Sequence, residues 1–387
     1  MGRFVVKNAH SFLLLSLCSL IGAVLYWSCI TGRQFLVFHG DIGTDTYLSY
    51  WAYDRYFYNL FKSRSFSFWS FCVGLGSQVN WLPKFLNPLH QLLYLGGEDR
   101  ILYMYSIKAL LASIFAAFFW FRYLKYFKVR DSIAVVFSIY YGFSGFVTLW
   151  GQHQFNHIAY VLFPIILYAL ELLFKENKPL LYSLALSYLY IVSWHNGVCL
   201  SVFLLIYAVY RLYEEFGFSK KALIAFFKFA GFSVVSVGIG VVNLLVEYDV
   251  LSSTIRLTSR AYKHRWLFES AYYKTFLARL FSNNLTGNPL HGYFGTWNYY
   301  EDPQVYCGLL TLVFLLPILL KGSKKYATTL FLLTCVAFIV LPDLTASFML
   351  FTKVSSRQSF ILILALLTIV PRRLNTLEEE LNDSGSR

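Results

Sequence analysis

Two carboxylates four residues apart are the first groups in the chain that could do acid–base chemistry. Asp41 and Asp45 lie directly after the first apolar stretch and ahead of the aromatic run Tyr47–Phe61. A carboxylate at a membrane surface can act as a general base for a hydroxyl group, and two close carboxylates perturb each other's titration. Alternatively, Asp41 or Thr44 caps a helix that begins near Asp45, and Asp45 is a first-turn acid favoured by the helix dipole. The pair is therefore either a catalytic site or the start of a helix.

Four cationic residues could hold an anion such as a phosphate. Lys108 falls about two turns inside an apolar stretch, where an ionisable group is costly unless it is paired or hydrated; alternatively, its ammonium reaches the membrane interface. Arg357 opens the last apolar stretch, where a guanidinium can bind phosphate with two hydrogen bonds or simply anchor the helix end. Arg256 and Arg260 belong to a loop with several cations, so neither is a strong candidate alone.

A third group of polar side chains lies in one short segment between apolar stretches and consists of His153, Asn156 and His157. Two histidines four residues apart could share a metal ion, but the local sequence offers no third ligand. Hydrogen bonds to a sugar or a phosphate, or packing at the interface, are the favoured interpretations. The sequence indicates no metal site and no cofactor, and it leaves a role for a divalent cation open.

Apolar segments long enough to cross a membrane must position these groups. Of the 387 residues, 57% are hydrophobic and 14% are charged, whereas a soluble domain carries about 25% charged residues. The hydropathy pattern predicts about ten spans, at about 12–30, 101–121, 132–150, 158–174, 180–195, 197–213, 222–245, 305–320, 326–342 and 355–370. We therefore predict an all-α integral membrane protein.

The distribution of lysine and arginine predicts the topology. Cationic clusters such as Lys125–Arg130 and Arg372–Arg373 alternate with segments that carry none, such as 151–157, and positive clusters favour the cytoplasmic side. Both termini are thus expected inside, with a membrane domain over 1–374 and a polar cytoplasmic tail over 375–387. Because the net charge of +13 is spread over these short clusters, we expect no nucleic-acid partner.

The same topology places two long segments outside, at about 31–100 and 246–304. Each contains a predicted amphipathic helix that could lie in the membrane interface, over Thr46–Lys62 and Glu269–Phe281. The candidate carboxylates, the 151–157 segment and Arg357 all fall on this predicted outer side. A site built from them would therefore face the exterior.

Several motifs, in their order along the chain, resemble the YfhO-type bacterial membrane proteins, a branch of the GT-C glycosyltransferases. The resemblance runs from the first helix to about residue 370. It rests on Gly40-Asp41 before an aromatic stretch, Phe68-Trp69-Ser70 before Gly74-Leu75-Gly76, Asn87-Pro88-Leu89, Pro164–Glu171, Tyr306–Leu312 and Ser356-Arg357. It implies a GT-C-like helix bundle in the bacterial cytoplasmic membrane, with a catalytic acid in the first outer loop, which corresponds to Asp41.

The resemblance also implies a polyprenyl-phosphate sugar as the donor and an outer acceptor such as teichoic acid or another envelope glycopolymer. Asp41 and Asp45 are then the expected catalytic pair, and a cation at Arg357 or Lys108 would stabilise the leaving phosphate. The expected donor site is completed by His157, Asn156, Arg256 and Arg260.

This chain departs from the family pattern in three respects. Family members often have Gln near the place of Asp45, and they tend to have an Asp in the second outer loop, where Asn156 and His157 stand here. Many relatives are also longer. A transporter or flippase of lipid-linked glycans is an alternative, with Gly238, Gly240 and Asn243 as the hint of a broken helix. A non-catalytic subunit of a glycosylation complex is another.

Overall fold

The computed structural model describes residues 2–36, 45–72, 76–252, 263–288, 292–321, 324–349, 351 and 354–385. Asp41, Arg256 and Arg260 lie outside these residues. The described chain is almost entirely helical, in agreement with the predicted all-α class. Its only strands, within those residues, form two short antiparallel hairpins, β1–β2 (Trp69–Ser70 with Ser77–Gln78) and β3–β4 (Gly287–Asn288 with Gly292–Tyr293).

The first part of the chain contains one long helix and a series of short ones. Helices α1 and α2 span Gly2–Leu25 and Trp27–Ile30, and a π-helix over Asp45–Trp51 runs directly into α3, Ala52–Ser63. This confirms a helix close to the predicted Thr46–Lys62. The β1–β2 hairpin, α4 (Leu82–Leu86), α5 (Pro88–Gln91) and two 3₁₀ turns (Leu92–Gly96 and Glu98–Arg100) then lead to the next long helix.

The bundle is formed by the helices that follow. They are α6 (Ile101–Tyr126), α7 (Asp131–Gly142), α8 (Gly145–Trp150), α9 (His157–Glu176), α10 (Leu180–Val192), α11 (Trp194–Phe216), α12 (Lys220–Ser252), α13 (Ser270–Phe281), α14 (Leu309–Lys321), α15 (Lys325–Val340), α16 (Pro342–Ser347) and α17 (Phe360–Gly385). Helix α13 occupies the second predicted amphipathic segment.

Five helical segments are long and apolar enough to cross a membrane: Glu98–Tyr126, Asp131–Trp150, His157–Glu176, Trp194–Phe216 and Lys220–Asp249. Shorter apolar helices lie at Ala9–Leu25, Leu180–Val192, Leu309–Leu320 and Lys325–Val340. These findings support a multi-pass membrane protein. The total of ten spans and the sidedness of the loops stay predictions.

One predicted span, 132–150, is divided in the structure. Helix α7 ends at Gly142, where a Cβ would lie 2.6 Å from the carbonyl oxygen of Ser113, so a glycine allows α6 and α7 to touch. Ser144 then starts α8 by accepting a hydrogen bond from the backbone N–H of Val147 at 3.4 Å. The break brings α8 and the segment after it towards the first loop.

Helix α17 is the central helix of the bundle. Its first half is apolar on all faces, and every residue from Phe360 to Val370 is buried, as expected of a helix that is surrounded by others. The ring of Phe360 stacks on Phe163 of α9, with 4.7 Å between the ring centroids. The helix continues through Pro371 to Gly385, beyond the predicted end of the span.

Buried charges tie α9, α11 and α17 together near the cationic ends of these helices. The guanidinium of Arg211 holds the carboxylate of Glu171 with Nε–Oε1 and Nη2–Oε2 distances of 2.7 and 2.8 Å. Glu214 in turn accepts hydrogen bonds from Arg372 and Arg373, both at 2.7 Å. These five residues are called the helix-bundle cluster below. Both members of its central pair, Glu171 and Arg211, are almost completely buried, which gives Glu171 a structural role.

Helix α12 is continuous from Lys220 to Ser252. The hint of a broken helix at Gly238 and Gly240 is therefore wrong. A Cβ on Gly240 would lie 2.5 Å from the Cβ of Tyr190, so this glycine allows α12 to pack closely on α10. Asn243 donates a hydrogen bond to the carbonyl of Tyr190 at 3.2 Å and fixes the same contact.

Candidate functional site

A polar pocket of about 360 Å³ lies where the first long loop meets the helix bundle. Its walls come from the π-helix and α3, from α4 and α5, from the segment between α8 and α9, from the start of α11, and from the end of α12. Its lining includes Tyr50, Tyr53, Asp54, Lys84, His90, Gln154, Trp194, His195, Asn243 and Glu247. Ligand sites in proteins occupy about 300–1,000 Å³, so the pocket is large enough for a small ligand group.

The centre of the pocket wall is the carboxylate of Asp54, which is completely buried. Its Oδ1 pairs with the Lys84 ammonium and, at 2.9 Å, with Nε2 of His90. Its Oδ2 accepts a hydrogen bond from the Tyr105 hydroxyl at 2.8 Å. Burial would raise the pKa of Asp54, but the charge of Lys84 and the hydrogen bonds from Lys84 and His90 outweigh it and hold the pKa well below its usual range. Asp54 is therefore a permanent anion that is already fully paired.

His90 joins this carboxylate to Lys108. Burial, followed by the charges of Lys108 and Lys84, lowers the pKa of His90 to about 3, although Asp54 acts in the opposite direction. A neutral ring suits both neighbours, because Nε2–H can donate to Asp54 while Nδ1 accepts from the Lys108 ammonium at 3.1 Å. Protonation would direct a second N–H at the ammonium of Lys108.

Lys108 is completely buried, and its ammonium donates to His90 and to the carbonyl oxygen of Gln154. Its ammonium is thus paired with protein groups, and its depth relative to the membrane interface stays a prediction. Because His90 and Gln154 both line the pocket, Lys108 lies one layer behind the wall. Asp54, Lys84, His90, Tyr105 and Lys108 are called the pocket cluster below.

The short segment after α8 closes the pocket from the bundle side. Asn156 accepts a hydrogen bond from the side-chain amide of Asn196 at 2.8 Å, which ties this segment to α11. The ring of His157 is buried, close to the backbone of Gly151 and Gln154. Both residues therefore support the position of Gln154.

Arg357 lies beside Trp150, the last residue of α8, and forms an ion pair. Its guanidinium pairs with the Glu301 carboxylate at 2.8 Å and stacks over the ring of Trp150, 5.4 Å from the centroid. The ring of His153 stacks on the indole of Trp150, with 4.7 Å between the two ring centroids. A phosphate at Arg357 would share the guanidinium with Glu301.

Tyr50 connects these groups to Asp45. Its hydroxyl contacts Nδ1 of His153, and it lines the pocket. Burial raises the pKa of Tyr50; the negative charge of Asp45 adds to the rise, and the positive charge of Arg357 opposes it. Asp45, the first residue of the π-helix, and Arg357 are therefore both electrostatic neighbours of the pocket wall.

A second carboxylate, Glu247 near the end of α12, lines the pocket as well. It accepts a hydrogen bond from the side-chain amide of Asn80 at 3.2 Å, and the same amide donates to Asn243 at 2.7 Å. The Trp194 side chain is a further hydrogen-bond partner of Glu247. The end of α12 thus contributes a second acid to a pocket whose first acid, Asp54, comes from the first loop.

The predicted site residues fall into three groups in the structure. Lys108, Asn156 and His157 lie together behind the pocket wall, and Asp45 and Arg357 lie near Tyr50 on its edge. Asp41, Arg256 and Arg260 are outside the described residues. Sequence reasoning missed Asp54, Lys84, His90 and Glu247. The available signals were the single acid of the aromatic-rich helix α3 and one acid close to the end of an apolar span.

A metal ion has no ready site in the part of the chain that the structure describes. No three side chains of His, Cys, Asp or Glu come together there in a way that could hold one. The two histidines of the 151–157 segment have separate surroundings, since His153 contacts Tyr50 and Trp150, whereas His157 is buried below Gly151.

Comparison with known proteins gives one match. The family model described as bacterial membrane protein YfhO matches residues 13–383, nearly the whole chain. No curated protein and no solved structure matches the chain.

Proposed function

The chain belongs to the YfhO family of bacterial membrane proteins, and on that premise we propose that it is a membrane glycosyltransferase. At the level of the family, this assignment supports a glycosyltransferase-related role. The specific proposal is that the protein transfers a hexose or an N-acetylhexosamine from a polyprenyl-phosphate donor to a hydroxyl group of an envelope glycopolymer such as a teichoic acid. The reaction takes place at the outer face of the cytoplasmic membrane.

The pocket is the observation that carries this proposal. Two segments that the charge pattern predicts to be outside, namely the first long loop and the segment 151–157, meet the start of α11 around one cavity. The cavity holds carboxylates, a lysine, amides and aromatic rings, which are the groups that can bind a sugar phosphate. A pocket at the boundary between a loop and apolar helices also suits a substrate with a polar head and a lipid tail.

Asp41 is the proposed general base. Asp54 cannot take that role, because its two oxygens are occupied and its pKa is held far below neutral pH. Asp41 precedes Asp45 by four residues, so their Cα atoms are at most about 14 Å apart, and Asp45 is close enough to Tyr50 to influence its pKa. The first loop can therefore bring Asp41 to the pocket.

The chemical step is an inverting displacement. An acceptor oxygen forms a bond to C1 of the sugar, the bond from C1 to the phosphate oxygen breaks, and the polyprenyl phosphate leaves with the electron pair. The acceptor's proton passes to Asp41. Lys84 lines the pocket and would stabilise the charge that develops on the leaving phosphate, while Lys108 adds positive charge from behind His90. Asp45 and Arg357 border the site.

Purified protein in nanodiscs, supplied with radiolabelled polyprenyl-phosphate sugars and an acceptor glycopolymer, tests the proposal. We expect release of polyprenyl phosphate and labelling of the acceptor. Asp41→Asn is expected to insert and fold normally but to lose transfer by about 100-fold or more, the usual contribution of a general base. Asp99→Asn, which changes an exposed acid in the same loop, serves as the matched control.

Two outcomes would contradict this proposal. Wild-type rates in Asp41→Asn would remove Asp41 as the base. If the wild type releases no polyprenyl phosphate but moves intact lipid-linked sugar across a liposome membrane, the protein is a transporter. The continuous α12 gives no support to that alternative.

A further inference from the structure

Three polar side chains form one wall of the pocket and have no part in the chemical step described above. Asn243 and Glu247 lie on the same face of α12, four residues apart, and the amide of Asn80 bridges them with hydrogen bonds of 2.7 and 3.2 Å. All three line the pocket. Asn80, Asn243 and Glu247 are called the amide–carboxylate wall.

Glu247 differs from the other pocket carboxylate in its partners. Asp54 is paired with the Lys84 ammonium, is hydrogen-bonded to the His90 ring, and is completely buried. Glu247 is partly exposed, and its hydrogen bonds come from neutral groups, the Asn80 amide and the Trp194 side chain. Among the residues that the structure describes, no Lys, Arg or His makes an ion pair with it. It can therefore accept hydrogen bonds from a ligand without breaking an ion pair.

The depth of Glu247 agrees with a site at the outer face. A helix rises about 1.5 Å per residue, so Glu247 lies about 40 Å along α12 from Lys220, which belongs to a predicted cytoplasmic cluster. The hydrocarbon core of a bilayer is about 30 Å thick. Glu247 is thus at the opposite end of the span from Lys220, next to the first loop.

The chemistry of the wall selects for hydroxyl groups. A carboxylate repels a phosphate but is a strong acceptor for hydroxyl donors, and a carboxamide can accept and donate. The Trp194 indole beside them offers an apolar ring face. A sugar ring presents several hydroxyls around an apolar face, whereas its phosphate fits the Lys84 side of the pocket.

We propose that the amide–carboxylate wall binds the hydroxyl groups of the transferred sugar ring and thereby selects the sugar. The inference rests on the proposed function, since it assigns the two halves of the donor to two sides of one pocket. Glu247 acts as the hydroxyl acceptor. Asn80 is a positioning residue that holds the carboxylate in place.

A binding experiment without catalysis tests the wall. The probes are polyprenyl-phosphate glucose, polyprenyl-phosphate N-acetylglucosamine and polyprenyl phosphate without a sugar, each titrated against the protein in nanodiscs. In the wild type we expect at least one sugar-bearing lipid to bind more tightly than the bare lipid. In Glu247→Gln this difference is expected to shrink by about tenfold or more, the size of a lost charge-assisted hydrogen bond, with no loss of affinity for bare polyprenyl phosphate, because the charge removed is one that repels phosphate.

The comparison between lipids separates recognition from damage to the fold. Misfolding would weaken binding of the sugar-bearing and the bare lipids equally. Glu98→Gln, which changes a partly exposed carboxylate paired with Arg55 outside the pocket lining, is the matched control and should behave as the wild type. The inference is wrong if Glu247→Gln keeps the full sugar-dependent difference, or if the wild type binds the lipids with and without sugar equally. Failure of the transferase proposal shows itself separately, as an absence of polyprenyl phosphate release.

Discussion

The molecule contains two clusters of buried charge, and they are built differently. In the helix-bundle cluster every charge has a partner of opposite sign, and the bidentate pair of Arg211 and Glu171 is sealed from solvent. In the pocket cluster two lysines accompany the single carboxylate of Asp54: Lys84 contacts it directly, and Lys108 lies behind the neutral ring of His90. Its outermost member, Lys84, keeps 27% of its side chain exposed. The central pair of the helix-bundle cluster is thus closed to solvent, whereas the pocket cluster has one partly exposed member, Lys84, which is its open edge.

The difference shows how charge is used in an apolar protein. A buried ion costs several kcal/mol to desolvate. The helix-bundle cluster offsets this cost internally, because Glu215, 3.4 Å from Arg211, adds a third carboxylate beside its three arginines; it therefore joins helices and has no capacity left for a ligand. The pocket cluster offsets the cost of Asp54 but carries positive charge that faces a cavity. A phosphate bound in the cavity would neutralise this positive charge. Excess charge beside a pocket is therefore the better guide to function.

Breaking the helix-bundle cluster should give the largest effect on stability. Arg211→Met leaves Glu171 buried without its partner, and such a loss costs about 3–5 kcal/mol. We expect a strongly reduced unfolding temperature in detergent, measured by a thermal shift assay. Lys178→Ala, which removes an exposed ion pair with Glu176, is the control and should leave the unfolding temperature almost unchanged. Equal effects of the two changes would refute the distinction between buried and exposed pairs.

Replacing Lys84, the partly exposed member of the pocket cluster, should instead affect activity. Lys84→Met is expected to lower transfer by about tenfold to a hundredfold, the range for one charged hydrogen bond to a phosphate. The loss of stability should be smaller than in Arg211→Met, because Asp54 keeps His90 and Tyr105 as partners. Lys62→Met, which changes an exposed lysine of α3, should retain both properties. Normal kinetics in Lys84→Met would show that the leaving phosphate does not use this lysine.

The smallest expected effect is a dependence of stability on pH. Folded His90 stays neutral down to about pH 3, whereas an unfolded histidine takes up a proton below its usual pKa near 6.5. The unfolded state binds more protons in that window, so stability falls as the pH is lowered from 6.5 towards 3. Between pH 6.5 and 5 the loss should be about 1–2 kcal/mol. Denaturant unfolding at several pH values measures it, and His90→Gln should flatten the profile; an unchanged slope would mean that His90 is not the group responsible.

Much of the fold could be predicted from hydropathy, because a helix that crosses a membrane has to satisfy its own backbone and show an apolar surface. Helices occur in all the predicted spans, and the two amphipathic segments are helical as well. The break after Gly142 could not be predicted, since it depends on the close approach of α6, which lies elsewhere in the sequence.

The candidate site was less accessible to sequence reasoning. Lys108 was recognised because a charge in an apolar span is conspicuous, and the structure gives it partners. Asp54, Lys84 and His90 are each ordinary residues of a polar loop, and only folding brings them around one carboxylate. Glu247 was overlooked because it lies close to the end of a long apolar helix, where a charge is tolerated and is only a weak signal of function.

The contact at Gly240 has a consequence for the evolution of substrate preference. Gly240, Asn243 and Glu247 are three and seven residues apart, so they lie on one face of α12, and the bare backbone at Gly240 sets how near that face comes to Tyr190. A larger residue there would move the last third of the helix sideways and widen the cavity without replacing Asn243 or Glu247. Under the proposed function, a single substitution two turns from Glu247 would thus change which sugar the pocket admits while the proposed recognition residues stay the same.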